Sequence, residues 1–464
     1  MVILIKVAQF FLALSILVFV HELGHFLTAK AFKTRVDKFY LFFDWGFSIF
    51  RCKKVDGKWR FKFFAKNVQP DDEWAKSTST EYGIGWFPLG GYNKIAGMID
   101  ESMDKEQMKQ PPQEWEFRSK PAWQRFIIMV AGVFMNVMLA VCIYIGLLAD
   151  YGEQYLPTSE VNKYGIVVDS LGYEFGLRDG DKILAVDGEY IENFQEIPMQ
   201  IILEKVKTIE VERDGEHMVV TLPDDALTKL LSTQNGTFIS YRMPFVVSGV
   251  IDNSAAEAGG LEVGDVIIGI NDIPTPYYQD FTKQIKQFSN QEVDIKVVRD
   301  FDTLALPMQL GEEALIGAYL APLSEYFNLE TKEYTFWQAI PAGFSKTFTE
   351  ISDYWKQLKL IFSPKTKAYE SVGGFISIGK IFPDTWIWSM FWRLTAFLSI
   401  ALAVMNILPI PALDGGHILF LLYEIITRRK PSDKFMEIAE YIGLILVLAL
   451  VLFANGNDII KLFK

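Results

Sequence analysis

The sequence predicts a polytopic α-helical membrane protein with four transmembrane helices, membrane-associated β elements and two α+β domains outside the bilayer. Three observations lead there. Four apolar stretches approach the roughly 20 residues that a bilayer core requires. A basic segment with alternating aromatic residues lies between the first two. An acidic middle segment contains one unit twice. The whole-chain figures make sense only when divided the same way. Of 464 residues, half are hydrophobic and 22% are charged, yet the formal net charge is −12 and the mean hydropathy is +0.17. Strong acidity normally accompanies a polar chain, so the charge and the apolar residues must sit in different parts. Composition excludes collagen-like, disulfide-scaffold and wholly disordered proteins. The acidic balance excludes a general nucleic-acid binder. The expected surroundings are a lipid bilayer, with no nucleic-acid partner.

The first stretch runs from Val2 to Val20, interrupted only by Lys6, and the second from Phe126 to Ala149, with Asn136 near its centre. The third runs from about Leu394 to Leu413 and carries Asn406, Pro409 and Pro411. The fourth is Ile438 to Ala454. A shorter apolar run, Ile418 to Ile426, reads as interfacial or buried. A signal peptide would end in a small-residue cleavage site; here His21-Glu22-Leu23-Gly24-His25 follows instead, so the first stretch reads as an uncleaved span.

Charge sets the orientation. Residues 30–66 contain eleven Lys/Arg against three acids, and the loop at 428–434 is again basic. The positive-inside rule puts both in the cytoplasm. Residues 157–335 contain thirteen Lys/Arg against thirty-one acids, and four alternating spans put that segment and both termini outside. Cys52 falls in the basic segment and Cys142 in the second span, so no disulfide is expected.

The middle segment repeats itself at an offset of 84 residues. Gly176-Leu177-Arg178-Asp179-Gly180-Asp181 aligns with Gly260-Leu261-Glu262-Val263-Gly264-Asp265, and each is followed by alternating apolar residues. Each unit opens on a β-branched run, continues through a helical stretch (Ile197 to Glu204; Asp280 to Phe288) and closes on a strand with Arg-Asp (Arg213-Asp214; Arg299-Asp300). The pattern resembles a PDZ domain of the rearranged bacterial kind, and such domains bind extended peptides by strand addition. Two small β-sandwich or barrel spacers without a ligand are the alternative. Hence the expected division is 1–30 (first span), 31–120 (cytoplasmic and membrane-associated β region), 121–150 (second span), 157–235 and 240–322 (PDZ-like units). It continues with 323–385 (amphipathic connector), 386–427 (third span) and 428–464 (basic loop and fourth span). In the connector, Phe336 to Phe362, the residues Trp337, Phe344, Phe348, Ile351, Trp355 and Leu358 are spaced for one helical face. That face either packs against the PDZ-like units or lies on the outer membrane face, and inward packing is the safer expectation. His217 sits by a hairpin turn and receives no role.

The chemistry begins at H-E-x-x-H. His21 and His25 lie about 40° apart on one helical face, so both imidazoles reach a single Zn²⁺. Glu22, turned about 100° from His21, stands beside the metal, where a base accepts a proton from activated water. Two interfacial histidines bonding locally are the competing reading, and a carboxylate at a span's edge weighs against it. A third protein ligand is needed, and Asp414 in Leu413-Asp414-Gly415-Gly416 is the candidate. If Arg393 marks the outer interface, Asp414 lies about 31 Å further along a helix, which is one bilayer crossing. That is the depth at which charge independently places His21 and His25. Pro409 and Pro411 should break the helix there, beside a cavity.

H-E-x-x-H at the end of a first span, with N-x-x-P-x-P-x-L-D-G in a later one, resembles the site-2 protease family of intramembrane zinc metalloproteases. The resemblance implies that His21, His25 and Asp414 bind zinc and that Glu22 is the catalytic base. It implies further that Asn406 holds the substrate backbone, with Asn136 either a further substrate- or site-supporting residue or simply a hydrogen-bonding residue between helices. Pro88-Leu89-Gly90-Gly91-Tyr92 resembles the family's membrane-associated β element, so Gly90, Gly91 and Tyr92 are expected to offer an edge to an unwound substrate helix. Such an edge answers a physical need, because an unwound helix in lipid must find partners for its freed backbone groups. Trp59-Arg60-Phe61-Lys62-Phe63 after Asp56-Gly57 reads as a hairpin against the inner surface. The sequence departs from the family at Val133, where proline is usual, and at Gly373-Gly374, where Gly-Pro is usual.

By the same resemblance the substrates are single-span membrane proteins, such as anti-sigma factors or signal-peptide remnants, in a bacterial inner membrane. An upstream site-1-type protease would trim them first, and the PDZ-like pair would exclude untrimmed ones. A PDZ-bearing scaffold or chaperone with a structural zinc is the alternative, and Glu22 argues against it, since a structural site needs no adjacent base.

Overall fold

The computed structural model describes residues 2–66, 72–88, 90–98, 111–232, 238–361 and 373–462, so Leu89 and Phe362 lie outside the described residues. The chain forms two compact units: residues 1–152, 333–359 and 369–464 in one, and 153–332 with 360–368 in the other.

The first unit is built on seven helices: α1 (Val2–Ala31), α2 (Ala122–Tyr151), α3 (Phe336–Ile361), α4 (Phe375–Lys380), α5 (Trp388–Ile407), α6 (Asp414–Thr427) and α7 (Asp433–Leu462). Among the described residues, α1, α2, α5 and most of α7 are long and apolar enough to cross a membrane. A helix satisfies its own backbone, the condition for lying in lipid. Small residues let the helices meet closely. A Cβ on Gly24 of α1 would fall 2.4 Å from the carbonyl oxygen of Ala131 on α2.

The third apolar stretch is not one helix. α5 stops at Ile407, and Leu408 is extended (φ −59°, ψ 142°), the conformation that a following proline imposes. The chain turns through 408–413 with Ala412 at φ 75°, and Asp414 opens α6 instead of closing α5. The single element expected over 386–427 is therefore two helices, and the short run Ile418 to Ile426 is the body of the second. A carboxylate in the first turn of a helix faces the positive end of its dipole.

A second correction concerns α3. Its buried residues are Ala339, Gly343, Thr347 and Leu358, whereas Trp337 (77%), Phe348 (60%) and Trp355 (42%) face outward. A Cβ at Gly343 would lie 2.6 Å from Ile145 of α2. Close packing of helices selects the small residues, so the aromatic face is left outside.

Between α1 and α2 lies a five-stranded sheet of β1 (Val36–Leu41), β2 (Phe43–Val55), β3 (Lys58–Lys66), β4 (Glu81–Phe87) and β5 (Tyr92–Ile95), in the order β3-β2-β4-β1-β5. β1 and β4 are parallel and the other pairs antiparallel. Asp56 and Gly57 have φ of 50° and 77°, the left-handed pair that a two-residue hairpin demands. Trp59, Phe61 and Phe63 alternate along β3 and are exposed, an aromatic face toward the surroundings. β5 is a terminal strand, with its outer edge unpaired by any described strand.

The second unit opens with β6 (Glu153–Tyr155), which pairs with the last strand β18 (Glu330–Lys332). The first repeat contains β7 (Ile166–Val168), β8 (Lys182–Val186), β9 (Thr208–Arg213), β10 (Glu216–Thr221) and β11 (Ile239–Tyr241), with a helix at Glu196–Leu203. The second contains β12 (Phe245–Val250), β13 (Val266–Ile270), β14 (Ile273–Pro274), β15 (Glu292–Arg299), β16 (Asp302–Gln309) and β17 (Ala318–Leu320), with a helix at Tyr278–Ile285. The repeated Gly-Asp and Arg-Asp signatures are two halves of one interaction. Arg213 Nε and Nη2 each donate at 2.7 Å to Asp181, and Arg299 repeats the fork on Asp265 with the same two distances. His217 on β10 is exposed and faces Glu210 Oε2 at 3.1 Å.

Candidate metal centre

Three donor atoms converge at the junction of α1, α2 and α6. Nε2 of His21 is 3.2 Å from Nε2 of His25. Oδ2 of Asp414 is 3.1 Å from the first and 3.4 Å from the second. His21 and His25 share a face of α1 because they stand four residues apart on an unbroken helix. Asp414 reaches them because the proline-bearing turn redirects the chain into α6. Among the described residues this is the one group of three or more His, Cys, Asp or Glu side chains placed to hold a metal.

The geometry fits zinc. Bonds of about 2.0–2.1 Å in a tetrahedron put neighbouring ligand atoms about 3.3 Å apart, the size of the triangle found here. Asp414 Oδ2 is buried without a hydrogen-bonding partner, as an oxygen aimed at a cation would be. His25 Nδ1 lies 2.8 Å from the carbonyl oxygen of Ile128. That oxygen can only accept, so Nδ1 carries the proton and Nε2 offers a lone pair. Room for both rings is made by α2. A Cβ on Gly132 would fall 2.3 Å from His25 Nε2 and 2.7 Å from His21 Cε1.

The donors open onto a cavity of about 640 Å³. Glu22 lies on its wall, as do Gly91, Tyr92, Asn93 and His417. The remaining expected residues are placed as follows. Asn406 Nδ2 is 3.4 Å from His21 Nε2, so its amide reaches the donor triangle. Gly90 and Gly91 are close-approach positions. A Cβ on the first would press on the Phe43 ring, and one on the second on the Tyr40 carbonyl and Val18 of α1. Asn136 does not line the cavity. It is fully buried, with Nδ2 3.3 Å from His21 Nδ1, on the other side of the ring. His417 faces Glu440 Oε1 of α7 at 3.1 Å and stays off the donor triangle.

Sequence reasoning missed Asn93 and Asp44. Asn93 Nδ2 donates to the backbone oxygen of Glu22 at 2.6 Å and to its carboxylate at 2.8 Å, tying β5 to the helix that carries the motif. Its only signal in the sequence is a polar residue directly after Gly-Gly-Tyr. Tyr92 O–H donates to Asp44 Oδ1 at 2.8 Å, and Lys38 Nζ donates to Asp44 Oδ2 at 3.2 Å. Burial first, and then the Asp44 charge, hold the Tyr92 phenol well above its ordinary value, so it remains a donor at neutral pH.

Comparison with known proteins supplies the family. The model of peptidase family M50 matches residues 9–66 and 73–450. The chain is 28% identical over 487 residues to the regulator of sigma E protease of Haemophilus influenzae, covering 98% of this chain and 99% of that protein. It is 24% identical over 472 residues to a Rickettsia conorii protein named as a zinc metalloprotease, covering 99% and 100%. It is 26% identical over 471 residues to the metalloprotease MmpA of Caulobacter vibrioides, covering 98% and 96%. The chain belongs to peptidase family M50, the site-2 protease family, and is a membrane-embedded zinc metalloprotease.

Proposed function

We propose that this protease cleaves the transmembrane segments of single-span membrane proteins, with His21, His25 and Asp414 as the zinc ligands and Glu22 as the general base. The observation that carries the reading is that Glu22 stands beside the three-donor cluster on the wall of a cavity that also receives the start of the edge strand β5. Zinc bound by His21, His25 and Asp414 would supply Lewis acidity toward the scissile carbonyl and the attacking water. Glu22 accepts the proton from that water and passes it to the leaving amine. The Asn406 side chain, close to the donor triangle, binds the substrate backbone beside the reacting carbonyl. Tyr92 and Gly91 open the strand against which the unwound segment pairs, supplying partners for its freed backbone groups.

The setting follows the charge pattern. In a bacterial inner membrane the basic sheet segment lies on the cytoplasmic side and the acidic unit on the periplasmic side. The two repeats act as PDZ-like modules that exclude substrates not yet trimmed by an upstream protease. By family resemblance, such substrates include trimmed anti-sigma factors and signal-peptide remnants.

The test is cleavage of a model single-span substrate by the purified full chain in lipid, with Glu22→Gln alongside and zinc measured in both. Expected is loss of cleavage with zinc retained. Cleavage by Glu22→Gln at the wild-type rate with zinc bound would overturn the assignment of the base.

A further inference from the structure

We propose that Asn136 is a positioning residue for the metal centre, whose side-chain oxygen accepts the Nδ1 proton of His21 and so fixes the tautomer that presents Nε2 to zinc. The inference rests on His21 being a ligand, and it assigns Asn136 to the support of that ligand in place of contact with substrate.

Asn136 is 0% exposed on α2, one turn beyond Gly132. Its backbone oxygen accepts a 2.8 Å bond from Ser399 Oγ on α5, so the residue is anchored between two spans. Its amide meets His21 at Nδ1, 3.3 Å away, while His21 Nε2 points into the donor triangle. The amide orientation decides the chemistry. With Nδ2 against the ring, Nδ1 would have to be the acceptor and the ring proton would sit on Nε2, among the ligand atoms. That arrangement leaves Asn136 Oδ1 buried without a partner and puts an N–H between His21 and Asp414 Oδ2, where the cation would bind.

An amide's nitrogen and oxygen have nearly the same shape, so their placement follows from the hydrogen-bond network. Turning the amide over puts Oδ1 on the Nδ1–H of His21 and leaves Nε2 with its lone pair toward the cation. Both histidines then obey one rule. His25 gives its Nδ1 proton to the Ile128 carbonyl, and His21 gives its own to Asn136. Partners of this kind orient a ligand and raise its basicity, and their loss typically weakens metal binding about 10- to 100-fold.

The experiment measures zinc affinity of the full chain by chelator competition for wild type, Asn136→Leu, Asn136→Asp and His21→Ala. Asn136→Leu keeps the volume and loses the acceptor, and about 10- to 100-fold weaker zinc is expected. Asn136→Asp keeps an acceptor and is expected to hold zinc within a few-fold of wild type. Wild-type affinity in Asn136→Leu overturns the proposal, and so does an Asp variant as weak as the Leu variant. Unchanged affinity in His21→Ala would instead overturn the ligand assignment beneath it. A second measurement needs no variant. In the zinc-loaded wild type with ¹⁵N-labelled histidine, His21 Nδ1 should carry a proton, and an unprotonated Nδ1 overturns the proposal.

Discussion

Oδ2 of Asp414 stands 3.1 Å from Nε2 of His21, although one residue ends a transmembrane stretch near the beginning of the chain and the other follows a proline turn near its end. Such a contact between a buried carboxylate and an imidazole has a definite consequence when the carboxylate is removed. Asp414→Ala takes away the only oxygen donor of the cluster. Zinc affinity should fall by more than the roughly 100-fold expected for losing a supporting partner, and proteolysis should fall with it. Metal analysis after gel filtration against a weak chelator is the check. Wild-type zinc content would remove Asp414 from the ligand set.

Gly132→Ala adds one methyl group at the place where α2 faces both rings. The new Cβ would stand 2.3 Å from His25 Nε2, and backbone on a packed helix has little freedom to yield. Overpacking of this kind costs about 1–3 kcal/mol. Here it bears directly on the Nε2 donor atom of His25. Weaker zinc binding is expected, with the far-ultraviolet helix signal unchanged. Full zinc affinity in this variant would mean that the helices can part without disturbing the site.

These two residues also mark how much the sequence made legible. H-E-x-x-H and the Asp-Gly-Gly run name the donors because their spacing is local and their residue types are chemically narrow. Asn136 also stands out in the sequence, but its partner does not, since facing across helices is set by tertiary packing. The break after Ile407 was foreshadowed by Pro409, whereas its result, Asp414 at the start of a new helix, required the turn itself. The aromatic spacing on α3 did not decide which face is buried, because an amphipathic pattern marks two faces and the neighbouring helix chooses between them. It chose the small residues Ala339, Gly343 and Thr347. The parallel pairing of β1 with β4 and the edge position of β5 had no local signal, because strand order depends on contacts between distant segments.

The acid limit of the second repeat follows from Asp265. Burial opposes its ionised form, but the fork from Arg299 and the Glu262 N–H outweigh it and hold the carboxyl below its usual range. A folded value below the unfolded one, about 3.9, means that the pair stabilises the repeat at neutral pH. That contribution declines as pH falls from the unfolded value through the lowered folded one. Asp265→Asn should therefore destabilise this repeat at pH 7, because the Arg299 fork loses its charged partner. The penalty should shrink toward pH 2. Thermal unfolding across that range tests it, and a penalty independent of pH would show that the charge is not the cause.

Placement of β5 can be separated from the metal chemistry by Gly91→Val. A Cβ here would fall 2.7 Å from the Tyr40 carbonyl oxygen and 2.7 Å from Val18 Cγ1 of α1, with Glu22 Cγ at 3.5 Å. The strand must therefore lift from the helix, and its lifting strains the two bonds from Asn93 to Glu22. The three atoms nearest the added Cβ include none of the three donors. If β5 presents the unwound substrate, kcat/KM for a single-span substrate should drop by at least tenfold, about 1.4 kcal/mol of transition-state stabilisation. Zinc affinity should stay within twofold. Equal loss of zinc and activity would mean instead that β5 supports the metal site through α1, and an unaltered kcat/KM would remove the strand from substrate presentation. Asn93→Ala refines the outcome, since it cuts the tie to Glu22 without crowding the strand. An Asn93→Ala defect confined to kcat points to the base, and one confined to KM points to the edge.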